Sequence, residues 1–271
     1  MPLFTDQTGR SVFIPSPLHK IVSLVPSQTE LLFDLGLDAS VVGITKFCRH
    51  PTHWLRSKQR IGGTKNPNIE LIKQISPHLI IGNKEENRKE DIDLLSGLFP
   101  VWLSDVNNLD DALHMIDTIS VITDTAQNGK QMVLDIVEAF EPLQLTVERE
   151  NKPFKICYLI WENPMIAVGR DTFIDSMIRK CGYKNAFGNQ SRYPAVTNKD
   201  IIDTQCDYIF LSSEPYPFKE RHRASIQQQF PDMKVLLVDG EMFSWYGSRL
   251  LKAADYLRGL MYKLQYGPGT T

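Results

Sequence analysis

Ile21-Val22-Ser23-Leu24-Val25-Pro26-Ser27-Gln28-Thr29-Glu30-Leu31-Leu32-Phe33-Asp34-Leu35-Gly36 is the stretch whose reading decides the fold. With Lys20 in front, its first part is a strand-length run of apolar and β-branched residues. Ser27-Gln28-Thr29-Glu30 has the spacing of a capping box, which predicts a helix opening there and closed by Gly36. Outward from this strand and helix, further β-rich runs occupy residues 41–45, 79–83, 101–105, 155–161, 208–212 and 235–239, most of them separated by helix-period segments. Strand alternating with helix predicts an α/β chain with mainly parallel pairing.

The middle of the chain breaks that alternation. Residues 110–124 and then 125–140 carry helical periodicity with no strand between them. Met132, Val133, Ile136, Val137 and Phe140 recur on one face, with Lys130, Asp135 and Glu138 on the other. The spacing predicts a long helix ending before Pro142, followed by a polar stretch, 144–153. The expected organisation is an N-terminal αβ lobe over 1–120, a connecting helix over 121–143 and a C-terminal αβ lobe over 144–271; two stacked helices inside one domain is the other arrangement the pattern allows. The halves echo each other: helix, turn and strand run from Ile69 to Ile81 and again from Lys199 to Phe210. Likewise Gly36 leads to Gly43 as Gly182 leads to Gly188. Two related lobes predict a cleft where the carboxyl ends of their strands meet, with ligand contacts just after the strands.

Bulk properties narrow the partners. The 271 residues hold 30 Lys+Arg against 32 Asp+Glu, a net charge of −2, which supplies no general attraction to nucleic acid or anionic membrane. Met1-Pro2-Leu3-Phe4-Thr5-Asp6 shows no basic segment followed by an apolar one, so as written the chain reads as cytoplasmic, or as lacking its leader. No apolar run approaches the roughly 18 residues of a membrane span. Cys48, Cys157, Cys181 and Cys206 form no CxxC and read as buried free thiols.

The loops expected after the strands are rich in aromatic and polar residues. They bring Phe47, Glu85, Glu86 and Asn87 from the first half, and Trp161, Glu162, Arg192, Tyr193, Glu214, Tyr216, Phe243, Trp245 and Tyr246 from the second. Ring faces supply contact area at low entropic cost while a few polar groups set orientation, which suits one large, flat, partly polar ligand. Cys48, His50 and His53 are candidates for a metal site, or for an axial donor to a metal carried by the ligand. GxSxG, HExxH, Walker A and GxGxxG motifs are absent, which leaves His19, His78, His114 and His222 as isolated histidines and gives no ground for asserting catalysis.

Residues 21–31, with Gly36-Leu37, Val41-Val42-Gly43, Ile61-Gly62-Gly63-Thr64, Asn68-Ile69-Glu70-Leu71-Ile72 and Ser76-Pro77-His78-Leu79-Ile80-Ile81, resemble the periplasmic B12-binding proteins and their iron-siderophore-binding relatives. The resemblance covers nearly the whole chain. It implies two Rossmann-like lobes joined by one rigid helix, with the ligand held in the cleft between them. Phe47 falls where that family has a tyrosine over the corrin, Trp161 lies within one position of a second-lobe aromatic, and Thr64 replaces a tryptophan. Glu70 matches the glutamate that docks on the transporter; Lys199, with Asp200 adjacent, stands at the second-lobe counterpart. Cys181 matches one half of the family disulfide, but the other half falls near Arg258, so no bridge is expected.

The resulting expectation is a monomeric solute-binding protein of an ABC uptake system, or an intracellular derivative, without intrinsic cofactor. It captures a bulky metallo-ligand, cobalamin-like first and iron-siderophore or haem second. The alternative is an intracellular enzyme or metallocofactor-handling protein on the same fold.

Overall fold

The computed structural model describes residues 2–149 and 153–267. The chain forms two compact units, one from the residues up to Val106 with Asp110–Asp135 and Tyr246–Arg249, the other from Asn107–Leu109, Ile136–Trp245 and the chain from Leu250 onward.

In the first unit a five-stranded sheet runs in the order Gln59–Arg60, Val41–Ile44, Ile21–Ser23, Leu79–Asn83, Val101–Ser104, all parallel. All five residues of Leu79–Asn83 are buried, as expected of a parallel strand covered on both faces. Val22, Ile80, Leu103, Ile72, Ile92 and Leu95 meet in one apolar cluster that binds strands to helices.

The first helix, Pro26–Asp34, departs from the expected capping box. Val25 is its N-cap and makes no side-chain cap bond. Pro26 lacks an N–H and has φ preset for the first helical position, so the helix starts there and Ser27 falls inside the first turn. Glu30 is thereby released from capping and forms an ion pair with Arg249 instead. Gly36 closes the helix as expected. At φ +92° its N–H reaches Phe33 O and the Leu37 N–H reaches Leu32 O, the two bonds of a Schellman motif that a left-handed glycine permits.

The second unit repeats the strand order. Lys155–Trp161 has Tyr208–Ser212 and then Lys234–Val238 parallel on one side; on the other side Lys184–Asn185 pairs parallel with its start and Ile166–Ala167 antiparallel with its end. The echo between the halves is closest at the third strand. Helix Ile69–Ile75 ends at Ser76 with φ 51°, helix Asn198–Thr204 ends at Gln205 with φ 51°, and strands Leu79–Asn83 and Tyr208–Ser212 follow. It fails at Gly188, which lies in Phe187–Ser191, paired with Gly169–Arg170 rather than with the main sheet.

Helix Ala126–Arg149 carries the chain from the first unit into the second. It does not stop before Pro142. A proline inside a helix removes one hydrogen bond and crowds the preceding turn, but Met132, Ile136, Phe140 and Leu143 are all buried, and burying Leu143 beyond the proline favours continuation. Val137, expected on that face, is 43% exposed. Part of the stretch expected to be a polar linker is thus helical, and residues 150–152 lie outside the described residues. Among the described residues no helix is long and apolar enough to cross a membrane.

Candidate functional site

In each unit the strand order sends the chain to opposite sides of the first strand, and the loops diverge at the carboxyl ends of the central strands. That is where α/β sheets bind ligands.

On the first unit, Val41–Ile44 delivers Thr45-Lys46-Phe47. The Phe47 ring is 53% exposed, with the Lys46 ammonium 5.1 Å from its centroid. A Cβ added at Gly63 would stand 2.9 Å from Phe47 Cε2, so only glycine allows the ring to lie this close to that backbone. Thr64, half-buried, follows. After Leu79–Asn83, Asn83 Oδ1 accepts the N–H groups of Glu85 and Glu86 at 2.8 and 3.0 Å, which fixes the turn and the outward course of both glutamates. Asn87 is buried: its amide donates to Leu24 O and Thr64 O and accepts from Asn83 N. Read in the sequence as a group orienting ligand, Asn87 instead ties three loops together, because its amide satisfies backbone groups that burial removes from water. Glu86 Oε1 accepts the Tyr246 hydroxyl at 2.7 Å. Burial first, then the Glu86 charge and hydrogen bond, push the Tyr246 phenol well above its ordinary range.

On the second unit the longest strand ends at Trp161, 39% exposed, whose indole N–H donates to Asn163 O. Tyr216 stands edge to face with it, centroids 5.5 Å apart, and donates its hydroxyl to Glu162 Oε2. That hydrogen bond, with burial behind it, raises the Tyr216 pKa and keeps the phenol a donor. Behind Tyr216, His222 packs at 5.5 Å, accepts the Lys219 N–H at Nδ1, and has Nε2 3.9 Å from Glu162 Oε2. Arg221 Nε donates to the same Nε2 at 3.1 Å, so both ring nitrogens of His222 are engaged. Glu214 Oε1 accepts from both Ser244 Oγ and Trp245 Nε1 at 2.7 Å. Arg192 takes a left-handed φ of 63°. Its guanidinium donates to Asp171 O and Asn107 Oδ1 and lies 5.9 Å from the Tyr193 ring centroid.

The structure thus groups Phe47, Thr64, Glu86, Asn87 and Tyr246 on one unit, and Trp161, Glu162 and Tyr216, Glu214 and Trp245, and Arg192 with Tyr193 on the other. Phe243 is a correction. It is 1% exposed and packs on Tyr158, Phe210 and Tyr256, because the four-residue helix Glu241–Ser244 turns it inward. The candidate metal site is a second correction. The buried Cys48 thiol donates to Thr29 Oγ1, and burial holds it above its ordinary pKa, as an inert thiol. The His53 ring packs on Phe33 instead, and among the described residues no three His, Cys, Asp or Glu side chains converge.

One site residue escaped the sequence reading, His222, set aside as isolated, and Asn83, read as the first residue of its loop, acts by holding the turn. The signal for His222 was its place in the first turn after the aromatic loop 213–218. His19 and His78 are not isolated either; the His19 N–H donates to His78 Nδ1. Of the docking candidates, Glu70 is exposed and paired with Lys73, Lys199 is paired with Asp203, and Asp200 closes a capping box with Thr197.

Residues 21–232 match the family model described as periplasmic binding protein. The vitamin B12-binding protein of Vibrio cholerae serotype O1 is 26% identical over 200 residues, 73% of this chain and 72% of that one. The crystal structure of a periplasmic vitamin B12-binding protein of V. cholerae matches with a TM-score of 0.79 at 22% identity, covering 93% of this chain and 99% of that one. The molybdate periplasmic binding protein MolA of Haemophilus influenzae matches with a TM-score of 0.82 at 16% identity, covering 97% and 91%. By its matching residues and by its fold, this chain belongs to the periplasmic binding protein family.

Proposed function

We propose that this chain is the ligand-capturing component of an ABC-type uptake system and that it binds a bulky metallo-ligand, cobalamin-like ahead of an iron chelate or haem. The observation that carries this reading is the pair of exposed rings, Phe47 and Trp161, each at the carboxyl end of a parallel strand on a hydrogen-bonded loop. Exposed aromatic faces on anchored loops offer large apolar contact with little entropy to lose on binding. Tyr216 and Glu162 stand beside Trp161 to orient polar substituents, and Glu86 on the first unit and Arg192 on the second are the further polar candidates. The printed function of the V. cholerae relative favours a corrinoid. Tyr216 is held as a hydrogen-bond donor by Glu162, an arrangement for recognition rather than for a nucleophile, so capture is favoured over turnover. Docking on a permease falls to the exposed Glu70 on one unit and to the Lys199 and Asp200 turn on the other.

Titration with cyanocobalamin, adenosylcobalamin, haem and a ferric catecholate tests the reading. Trp54, Trp102 and Trp245 are buried and Trp161 alone of the four tryptophans is exposed, so binding at these loops quenches mainly Trp161 fluorescence. Phe47→Ala and Trp161→Ala are each expected to weaken binding by roughly 1 to 3 kcal/mol. Binding of none of the four, or binding indifferent to both substitutions, overturns the proposal.

A further inference from the structure

Three sulfur atoms meet at the amino ends of the second unit's sheet, the edge opposite to its aromatic loops. Cys157 lies near the start of strand Lys155–Trp161, Cys206 two residues before Tyr208–Ser212, and Met233 directly before Lys234–Val238. Parallel pairing sets these strand starts side by side, Ile156 opposite Tyr208 and Tyr208 opposite Lys234. The Cys206 thiol donates to Met233 Sδ at 3.5 Å and is hydrogen-bonded to Cys157 on its other side. The three are 4%, 8% and 0% exposed in that order. Cys206 and Met233 nevertheless form part of the wall of an open cavity of about 660 Å³, together with Asp207, Asp232 and Lys234. The cluster therefore has an entrance.

We propose that Cys157, Cys206 and Met233 form a binding site for a soft monovalent d¹⁰ cation, copper(I) or silver(I), entered from this cavity and separate from the aromatic loops. Thiolate and thioether sulfurs select such ions, whereas imidazole and carboxylate ligands suit harder ones. Asp207 and Asp232 favour the approach of a cation, and Lys234 offsets the negative charge left when two thiolates hold a single positive ion. Metal–sulfur bonds of ~2.3 Å in a trigonal plane separate the sulfurs by ~4.0 Å, so the Cys206–Met233 contact widens by only about half an ångström. The step is an exchange of protons for metal: two S–H bonds break, two sulfur–metal bonds form, the thioether donates a lone pair, and two protons leave to solvent.

Cys181 offers a contrast, buried and pushed up to about 12 by burial alone.

The test uses the whole chain, reduced and anaerobic, titrated with tetrakis(acetonitrile)copper(I) against bathocuproine disulfonate. Sulfur-to-copper charge-transfer absorption and proton release are recorded together. One ion per chain and two released protons are expected. Cys206→Ser and Cys157→Ser are expected to weaken binding by roughly a hundredfold, and Met233→Leu, which keeps the core filled, by roughly tenfold. Cys181→Ser should bind like the unaltered chain. Wild-type affinity in Met233→Leu and Cys206→Ser overturns the proposal, and so does equal affinity for zinc. Because these readouts require no corrinoid or chelate, they stand or fall apart from the uptake reading.

Discussion

Replacing Arg249 by leucine tests the packing of the first unit most sharply. Arg249 reaches Glu30 with two charge-assisted hydrogen bonds, Nη2 to Oε1 at 2.8 Å and Nε to Oε2 at 2.9 Å, and the two side chains are 6% and 7% exposed. Leucine removes the cation and strips the buried Glu30 carboxylate of its two charge-assisted hydrogen bonds, an effect of about 3 to 5 kcal/mol. With a urea slope of ~2 kcal/mol/M, the unfolding midpoint should fall by ~1.5 to 2.5 M. The pH dependence follows from Glu30. Burial raises its pKa above the ordinary 4.5, and Arg249 draws it back down. A carboxyl raised in the folded state binds more protons folded than unfolded, so its contribution is fullest below the unfolded pKa and declines as pH rises through the folded one. Without Arg249 the folded pKa climbs further, and the deficit of Arg249→Leu should therefore be larger at about pH 8 than at about pH 5. Adding Glu30→Gln should restore much of the lost stability, since the charge is then gone. The reasoning is refuted if Arg249→Leu costs less than ~1 kcal/mol at neutral pH, or if the double variant is no more stable than the single one.

Gly63→Ala sets a Cβ 2.4 Å from Asn66 Oδ1 and 2.9 Å from the Phe47 ring; the overpacking should destabilise by ~1 to 3 kcal/mol. Denaturant curves together with ligand titration check it, and loss of stability with unchanged affinity would show that the Phe47 posture is irrelevant to binding. Thr172 is buried and caps helix Phe173–Lys180 through the Asp175 N–H at 3.1 Å, so Thr172→Ala should cost ~1 to 2 kcal/mol in urea unfolding while leaving affinity intact.

Much of the architecture was legible because it depends on local chemistry. Strand-length apolar runs, the left-handed glycine at Gly36 and the matching helix stops at Ser76 and Gln205 act within a few residues of themselves. The candidate loops were legible for the same reason, as punctuation after strands. What each loop residue touches was not. Asn87 and Phe243 have the composition of ligand contacts, and their burial depends on neighbours such as Leu24 and Tyr158 that are far away in sequence.

Sequence alone determined the α/β class, the parallel strand pattern and the repeated half, because periodicity and turn chemistry are written over short spans, and its motifs carried the family resemblance. Tertiary structure alone decided that Glu30 pairs with Arg249, 219 positions away, that Tyr216, Glu162 and His222 form one cluster, and that two cysteines and a methionine share a point. Those outcomes depend on which strand ends and loops are brought side by side, and pairing over such distances is set by the packing of the whole sheet.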